Sequence, residues 1–400
     1  MFSLLLPIIY LAFISLGLPD PLLGAAWPNM YPALGVPVSF AGILSTIIAA
    51  NTVVSSLLCE RVQRRFGTGK VVFFSVLLTA AALFGFSVSG SFWMLCVCAV
   101  PYGLGAGSVD AVLNNYVALH YKARHMSWLH CMWGVGCSIG PVVMSSALSA
   151  GTWQAGYRAV SILQAVLTAI LLFSLPLWKD GARPADGGAE KRENATAPAP
   201  RRSMASLLKL PGVPDVMGLF FCYCALESTA GMWAASYCTL ARGIPAEQAA
   251  AWASLFFLGV TAGRFVSGFV TFRVNDRNMI RLGQGVALCG VLLVLLSRTN
   301  ALLLIGLVTV GVGCAPIYPS VIHETPQNFG AENSQGVIGI QMASAYVGTT
   351  LIPLLFGWCA ERISFALYPW FLGLFLLLMT VASEMLHKKT AALRQPAGNA

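Results

Sequence analysis

Three carboxylates stand inside long apolar stretches of this chain, where a charge is costly and therefore informative: Asp20, Asp110 and Glu227. Asp110 lies in Tyr102–His120, YGLGAGSVDAVLNNYVALH, with Asn114 one helical turn further on. At about 100° per residue, Gly103, Gly107, Asp110 and Asn114 fall on one helix face. Glycines on that face admit a neighbouring helix backbone, so the carboxylate is expected to point into a bundle rather than into lipid. An acid deep in a spanning helix costs about 2.5–3.5 kcal/mol on insertion scales and marks a substrate or proton route by default. Burial favours the neutral form of an acid, as a proton-coupling group requires. The competing reading is a structural carboxylate paired with a neighbouring helix. The order of expectation for proton coupling is Asp110, Asp20, Glu227, the last being the one best read also as a packing acid or substrate hydrogen-bonder.

These acids need long helices to hold them, and the composition supplies them. The chain has 400 residues, 57% of them hydrophobic and only 10% charged, with a mean hydropathy of +0.74. A soluble chain would carry about 25% charged residues. Apolar runs of about 20 residues recur along the whole length, which makes this an all-α membrane protein in contact with a lipid bilayer. The net charge of +9 does not point to nucleic acid, because the basic residues sit in short loops between spans. Eleven cysteines, scattered through apolar runs with no CxxC pair, read as small buried hydrophobes, and no metal site is expected.

Twelve spans are predicted, at roughly 3–27, 38–59, 70–89, 92–120, 127–149, 156–178, 213–240, 247–271, 279–297, 299–323, 334–357 and 365–386. The first lacks a basic leader and contains Asp20, so it is expected to be a retained helix rather than a secretory signal. Loops after even-numbered spans hold Arg61, Arg64, Arg65 and Lys70, then Lys122 and Arg124, then Arg273, Arg277 and Arg281. Loops after odd-numbered spans hold few basic residues. Both termini are therefore expected in the cytoplasm, with a bacterial cytoplasmic membrane as the setting. Lys179–Lys209 is rich in Pro, Gly, Ala and charge and reads as a disordered cytoplasmic linker, in which the sequon Asn194-Ala195-Thr196 has no meaning.

The expected organisation is a bundle at 1–178, the linker at 179–209, a second bundle at 210–388 and a tail at 389–400. The two halves correspond. Asp20-x3-Gly24 answers Glu227-x3-Gly231, Gly35-x-Pro37 answers Gly243-x-Pro245, and Arg61 answers Arg273. Gly103-x-Gly105 answers Gly311-x-Gly313, and Gly136-x4-Pro141 answers Gly348-x4-Pro353. The offsets stay between 207 and 212 residues, which argues for a duplicated six-helix unit. Two such halves joined by a polar linker form the architecture of the major facilitator superfamily, with the substrate site expected between the halves near the midplane.

Neutral polar and aromatic residues cluster near the same level: Asn51, Asn114, Asn115, Trp133, Tyr318, Gln341, Tyr346 and, at an outer helix end, Trp27. Amides present donors and acceptors together, and aromatic faces suit the apolar side of a sugar ring. Trp27 reads equally as an interface-belt tryptophan. His130, low in its helix, could relay protons with Asp110 or simply cap helix contacts. Asp110-x3-Asn114 after a Gly-x-Gly run, with Asp20 followed by Pro21-Leu22-Leu23, resembles the fucose permease-like branch of the superfamily. The stretch His323–Pro353 is similar to bacterial proteins grouped with that branch. That resemblance implies a proton-driven sugar symporter in which Asp20, Asp110 and Asn114 take part in binding and coupling. Two departures stand in the motif: the run before the acid is longer, and the position after Asn114, a proline in that branch, is Asn115.

The superfamily's basic loop signature is degenerate in Glu60–Gly67 and fuller in Gly263-Arg264-x3-Gly268-x4-Arg273. Arg61, Arg264 and Arg273 are thus expected to gate the cytoplasmic side. The alternative function is a proton-driven efflux antiporter of small organic molecules, suggested by Gly136-x3-Gly140-Pro141 in the fifth span. A sensor or assembly partner is a third reading. No nucleophile–base pair, metal cluster or phosphate loop stands in the sequence, so neither an enzyme nor a cofactor is expected. The coupling ion is expected to be the proton, with Na+ as the open alternative, and the chain to act as a monomer on a sugar or similar small solute.

Overall fold

The computed structural model describes residues 4–37, 40–149, 151–178 and 203–394. Among these residues, twelve helices are long and apolar enough to cross a bilayer: α1 Leu5–Trp27, α2 Phe40–Phe66, α3 Thr68–Ser87, α4 Phe92–His120, α5 Ala123–Ser149, α6 Trp153–Leu177, α7 Val213–Ala241, α8 Ala251–Val270, α9 Asp276–Leu296, α10 Asn300–Phe329, α11 Ala331–Arg362 and α12 Phe365–Ala391. Their outer faces carry large apolar side chains, among them Trp93, Val97 and Phe173, as lipid contact demands. Several helices outrun the apolar runs that predict them: α2 continues to Phe66 and α10 to Phe329. Backbone hydrogen bonding persists past the hydrocarbon edge, where polar side chains can be hydrated.

The two six-helix halves pack alike. α4 rests on α2 and α3, α1 on α5 and α3 on α6; correspondingly α10 rests on α8 and α9, α7 on α11 and α9 on α12. The glycine correspondences acquire a physical meaning. A Cβ at Gly103 would strike the Ile48 carbonyl of α2 and one at Gly105 the Ser75 carbonyl of α3. Their counterparts Gly311 and Gly313 meet Phe256 of α8 and Ala287 of α9 in the same way. Gly35 and Gly243 both turn the chain at positive φ, +64° and +67°. Ser91 and Thr299 cap the N-termini of α4 and α10, accepting from the amides of Met94 and Leu302.

Two expectations for chain segments need correction. The end of the linker stretch is ordered: Ser203 caps a short helix, Met204–Leu208, and Leu207 is buried beside Gly336 of α11. The start of the expected tail also belongs to a helix. Lys389 bonds both carboxylate oxygens of Asp215, at 3.0 and 2.7 Å, and Thr390 is buried, so packing rather than solvent holds this end. The linker at 179–202, with Asn194, and the tail at 395–400 lie outside the described residues.

α1 and α10 are broken in their middles. Helix in α1 stops at Gly17 and resumes at Leu22, across Leu18-Pro19-Asp20-Pro21. In α10 it stops at Cys314 and resumes at Ile317, beside Pro316. Proline has no N–H to give to the helical ladder. Broken backbone at membrane depth is tolerated where it lines a cavity or is buried in protein. Pro19 and Asp20 of the α1 break line a cavity. The α10 break is packed in protein, with Ala315 buried and Pro316 against Gly283 of α9.

Candidate functional site

A cavity of about 630 Å³ lies between the halves. α1, α2, α4 and α5, with Leu83 and Phe86 of α3 and Tyr157 of α6, line it from one half, and α7, α8, α10 and α11 line it from the other. It opens away from the side where α1 begins and α12 ends, referred to here as the terminal side. Ser45 and Thr349 at its mouth are exposed, whereas Asp110 and His130 at its floor are buried.

Asp20 stands on the α1 break, exposed to the cavity. The Trp133 indole donates to its Oδ2 at 2.9 Å and the Tyr102 hydroxyl to its Oδ1 at 3.4 Å. The approach of α5 makes this possible: a Cβ at Gly17 would overlap the Trp133 carbonyl, and one at Gly136 the Ile14 carbonyl. The Arg264 guanidinium of the other half lies over the Trp133 ring, 5.5 Å from its centroid. Arg264 donates to Glu227 Oε1 at 3.0 Å. The line Asp20–Trp133–Arg264–Glu227 therefore crosses from one half to the other.

Asp110 is 6% exposed. Its Oδ1 accepts from Asn114 Nδ2 at 2.8 Å, and its Oδ2 from the Tyr346 hydroxyl of the opposite half at 3.0 Å. His130 donates from Nε2 to Asn114 Oδ1 at 2.9 Å, with its ring enclosed by the edges of Phe13 and Tyr318. This corrects the expected Asp110–His130 relay. Asn114 stands between the two, and an amide in this position passes orientation, not a proton. His130 fixes the Asn114 amide so that its NH2 faces Asp110.

The cavity gathers Asp20, Asp110, Glu227, His130, Trp133, Tyr318, Tyr346 and Trp27. It does not gather all the expected ligands. Asn51 donates back to Ile47 of its own helix at 2.8 Å, Asn115 accepts from Ser334 at 2.5 Å, and Gln341 donates to Thr325 at 2.9 Å. A buried amide without a partner costs several kcal/mol, and these three are satisfied by protein. Arg264 is likewise misplaced as a loop gate: it is 3% exposed and part of the cavity. Arg61 and Arg273 are exposed at helix ends. The terminal-side seam is instead closed by Arg64, whose guanidinium reaches the Glu332 carbonyl of α11 at 3.2 Å while pairing with Glu60 at 2.9 Å. Gln335 donates to the Ala111 carbonyl at 3.3 Å and Trp128 to that of Phe265 at 3.3 Å, completing the closure. Tyr102, Ser228 and Thr350 line the cavity unforeseen, since single hydroxyls in apolar runs carry no distinctive signal. The Pro19–Pro21 pair around Asp20 was a legible signal of the break.

Twelve spans in two like halves around a central cavity are the frame of a membrane transporter, and the sequence profile of the Major Facilitator Superfamily matches residues 9–322 and 216–398. The chain belongs to that superfamily. It is 24% identical over 90% of its length to an uncharacterized transporter, y4wD, of Sinorhizobium fredii, covering 93% of that protein. It is 22% identical over 87% of its length to the glucose/mannose transporter GlcP of Bacillus subtilis, covering 84% of it. Among solved structures it superposes on FucP in the outward conformation with a TM-score of 0.74 and 13% identity, over 96% of this chain and 98% of that one.

Proposed function

We propose that this protein is a proton-coupled symporter for a sugar or similar small polar solute, seen here facing outward. The observation that carries the reading is that Asp20 and Asp110 share one cavity, each tied to the opposite half. Asp20 reaches across through Trp133 and Arg264, Asp110 through Tyr346. Protonating either acid weakens a tie between halves, and that is the link a coupled transporter requires between proton binding and rocking. The positive-inside distribution of Lys and Arg supports a cytoplasmic terminal side, so the closed seam faces the cytoplasm and the open mouth the outside. GlcP is named for glucose and mannose, which supports a sugar.

In the proposed cycle one proton enters from the open mouth past Asp20 and settles on Asp110 at the floor as substrate fills the space above it. With Asp110 neutral, the halves rock and the seam at Arg64 and Gln335 parts. Substrate and proton then leave together. Trp27 and Trp133 offer ring faces to a sugar, while Ser228, Thr349 and Thr350 offer hydroxyls. The glycines that resemble an antiporter signature are explained by packing: Gly136 and Gly140 lie against the Ile14 and Leu18 carbonyls of α1.

Uptake by proteoliposomes of a panel of labelled mono- and disaccharides, with and without an imposed pH gradient, tests this. Accumulation of one sugar that collapses with a protonophore is expected. Accumulation that follows a Na+ gradient instead would replace the coupling ion. Pumping of a lipophilic cation with no sugar uptake would replace symport by efflux antiport.

A further inference from the structure

A histidine bridges the closed seam, and it lies outside the cavity. His323 of α10 has Nδ1 2.6 Å from Asp276 Oδ2 of α9, and Nε2 3.1 Å from the backbone carbonyl of Tyr121, which joins α4 to α5 in the other half. Both neighbours are acceptors. A neutral imidazole has a single N–H and satisfies one of them; two protons are needed to satisfy both. Placing the inner hydrogen on Asp276 leaves the count unchanged, since the dyad still holds one proton more than a neutral ring beside a carboxylate. The side chains of His323 and Asp276 are 12% and 11% exposed, so water on the terminal side can deliver that proton.

We propose that the Asp276–His323 dyad is a second proton-binding site, and that its loaded form pins the two halves together on the terminal side. Loss of the proton leaves the Nε2 lone pair facing the Tyr121 carbonyl, so an attraction across the seam becomes a repulsion. The other seam ties run through Ser334, Gln335, Arg64 and Trp128, whose hydroxyl, amide, guanidinium and indole do not titrate near neutral pH. The charged groups acting on the ring are Asp276 from α9 and Glu324 from its own helix. Glu324 is itself turned to His387 of α12, Oε2 to Nε2 at 3.3 Å. On the facing half, Tyr121 runs on into Lys122, Arg124 and His125, and His125 Nε2 accepts from Arg124 Nε at 3.2 Å. Acid on the terminal side thus favours the outward-facing state, and alkali releases it. This goes beyond the proposed function and depends on neither the substrate nor the acids of the cavity.

The test is hydrogen–deuterium exchange of the full-length protein in lipid nanodiscs without substrate, at about pH 6 and about pH 8, corrected for the chemical exchange rate. Peptides covering Glu60–Phe66 and Ala331–Gly336 report the seam, and Thr68–Ser87 serves as internal control. Seam exchange is expected to rise on the order of tenfold from the lower pH to the higher, the size of losing one hydrogen bond from a charged donor, with the control unchanged. His323→Gln keeps a donor but cannot titrate, and should abolish the pH response. Asp276→Asn should abolish it or displace it to more acidic pH. A wild-type seam indifferent to pH overturns the proposal, as does a wild-type response retained in either variant.

Discussion

Asp110→Asn separates the charge of the cavity floor from its shape. The amide is isosteric, so Oδ1 can still accept from Asn114 while the new NH2 donates to the Tyr346 oxygen, and the network of 2.8 and 3.0 Å bonds persists. What is lost is ionic character: a hydrogen bond to a charged group contributes about 1.5–3 kcal/mol and a neutral one about 0.5–1.5. The tie through Tyr346 therefore weakens by about 1 kcal/mol, and the outward-to-inward balance shifts about fivefold toward inward. The larger effect is on coupling. One proton moving down one pH unit is worth about 1.4 kcal/mol, so wild-type vesicles should reach about tenfold accumulation at that gradient. The Asp110→Asn protein always presents a neutral floor and should equilibrate to a ratio of about one while still exchanging labelled for unlabelled sugar. Counterflow and concentrative uptake in the same proteoliposomes read the two quantities separately. Full wild-type accumulation in this variant would refute the assignment of Asp110 to coupling.

Other perturbations probe the rest of the site. Trp133→Phe keeps the ring under Arg264 but removes the N–H to Asp20; loss of about 1 kcal/mol predicts roughly a fivefold higher KM for uptake. Glu227→Gln leaves the buried Arg264 unpaired, a change that costs about 3–5 kcal/mol and should lower the Tm in detergent, with Glu227→Gln/Arg264→Gln regaining part of it. Gly136→Leu drives a side chain into the Ile14 carbonyl; overpacking of about 1–3 kcal/mol should lower the Tm and, by parting α5 from α1, impair uptake as well.

The twelve spans and the duplication were legible because hydropathy and glycine packing are local properties. Each apolar run must become a helix in lipid, and Gly103, Gly105 and Gly136 mark close backbone approaches whichever helix comes near. Asp110 with Asn114 was legible for the same reason: four residues on one helix must be neighbours. The pairing of Glu227 with Arg264 was not, because it depends on how α7 and α8 are rotated against each other. Asn51, Asn115 and Gln341 were read as ligands since an amide in an apolar run advertises polarity without naming its partner. In the fold the partners are Ile47, Ser334 and Thr325, at separations in the chain from 4 to 219 residues. The seam is built from polar helix ends, where the apolar pattern has already faded; Arg64 rather than Arg61 faces the opposite half because of its position on the last turn of α2.

The repeat also shows where the two halves have diverged, and the divergence places the titratable chemistry. Asp20 and Glu227 are counterparts at the same level. Among the described residues, however, Glu227 has a fixed cation in Arg264 while Asp20 has only the neutral donors Trp133 and Tyr102. Asp110 and Tyr318, at the same offset of 208 as Gly103 and Gly311, are counterparts in α4 and α10. One is an acid and the other a phenol donating to Met342. With the ion pair of the C-terminal half internally balanced, the uncompensated charge among the described cavity residues belongs to Asp20 and Asp110, both in the N-terminal half. An anionic solute would meet two carboxylates there and pay for their repulsion. A neutral polyol meets none of that repulsion, so on the proposed reading the arrangement suits proton-coupled uptake of an uncharged solute better than transport of an acid.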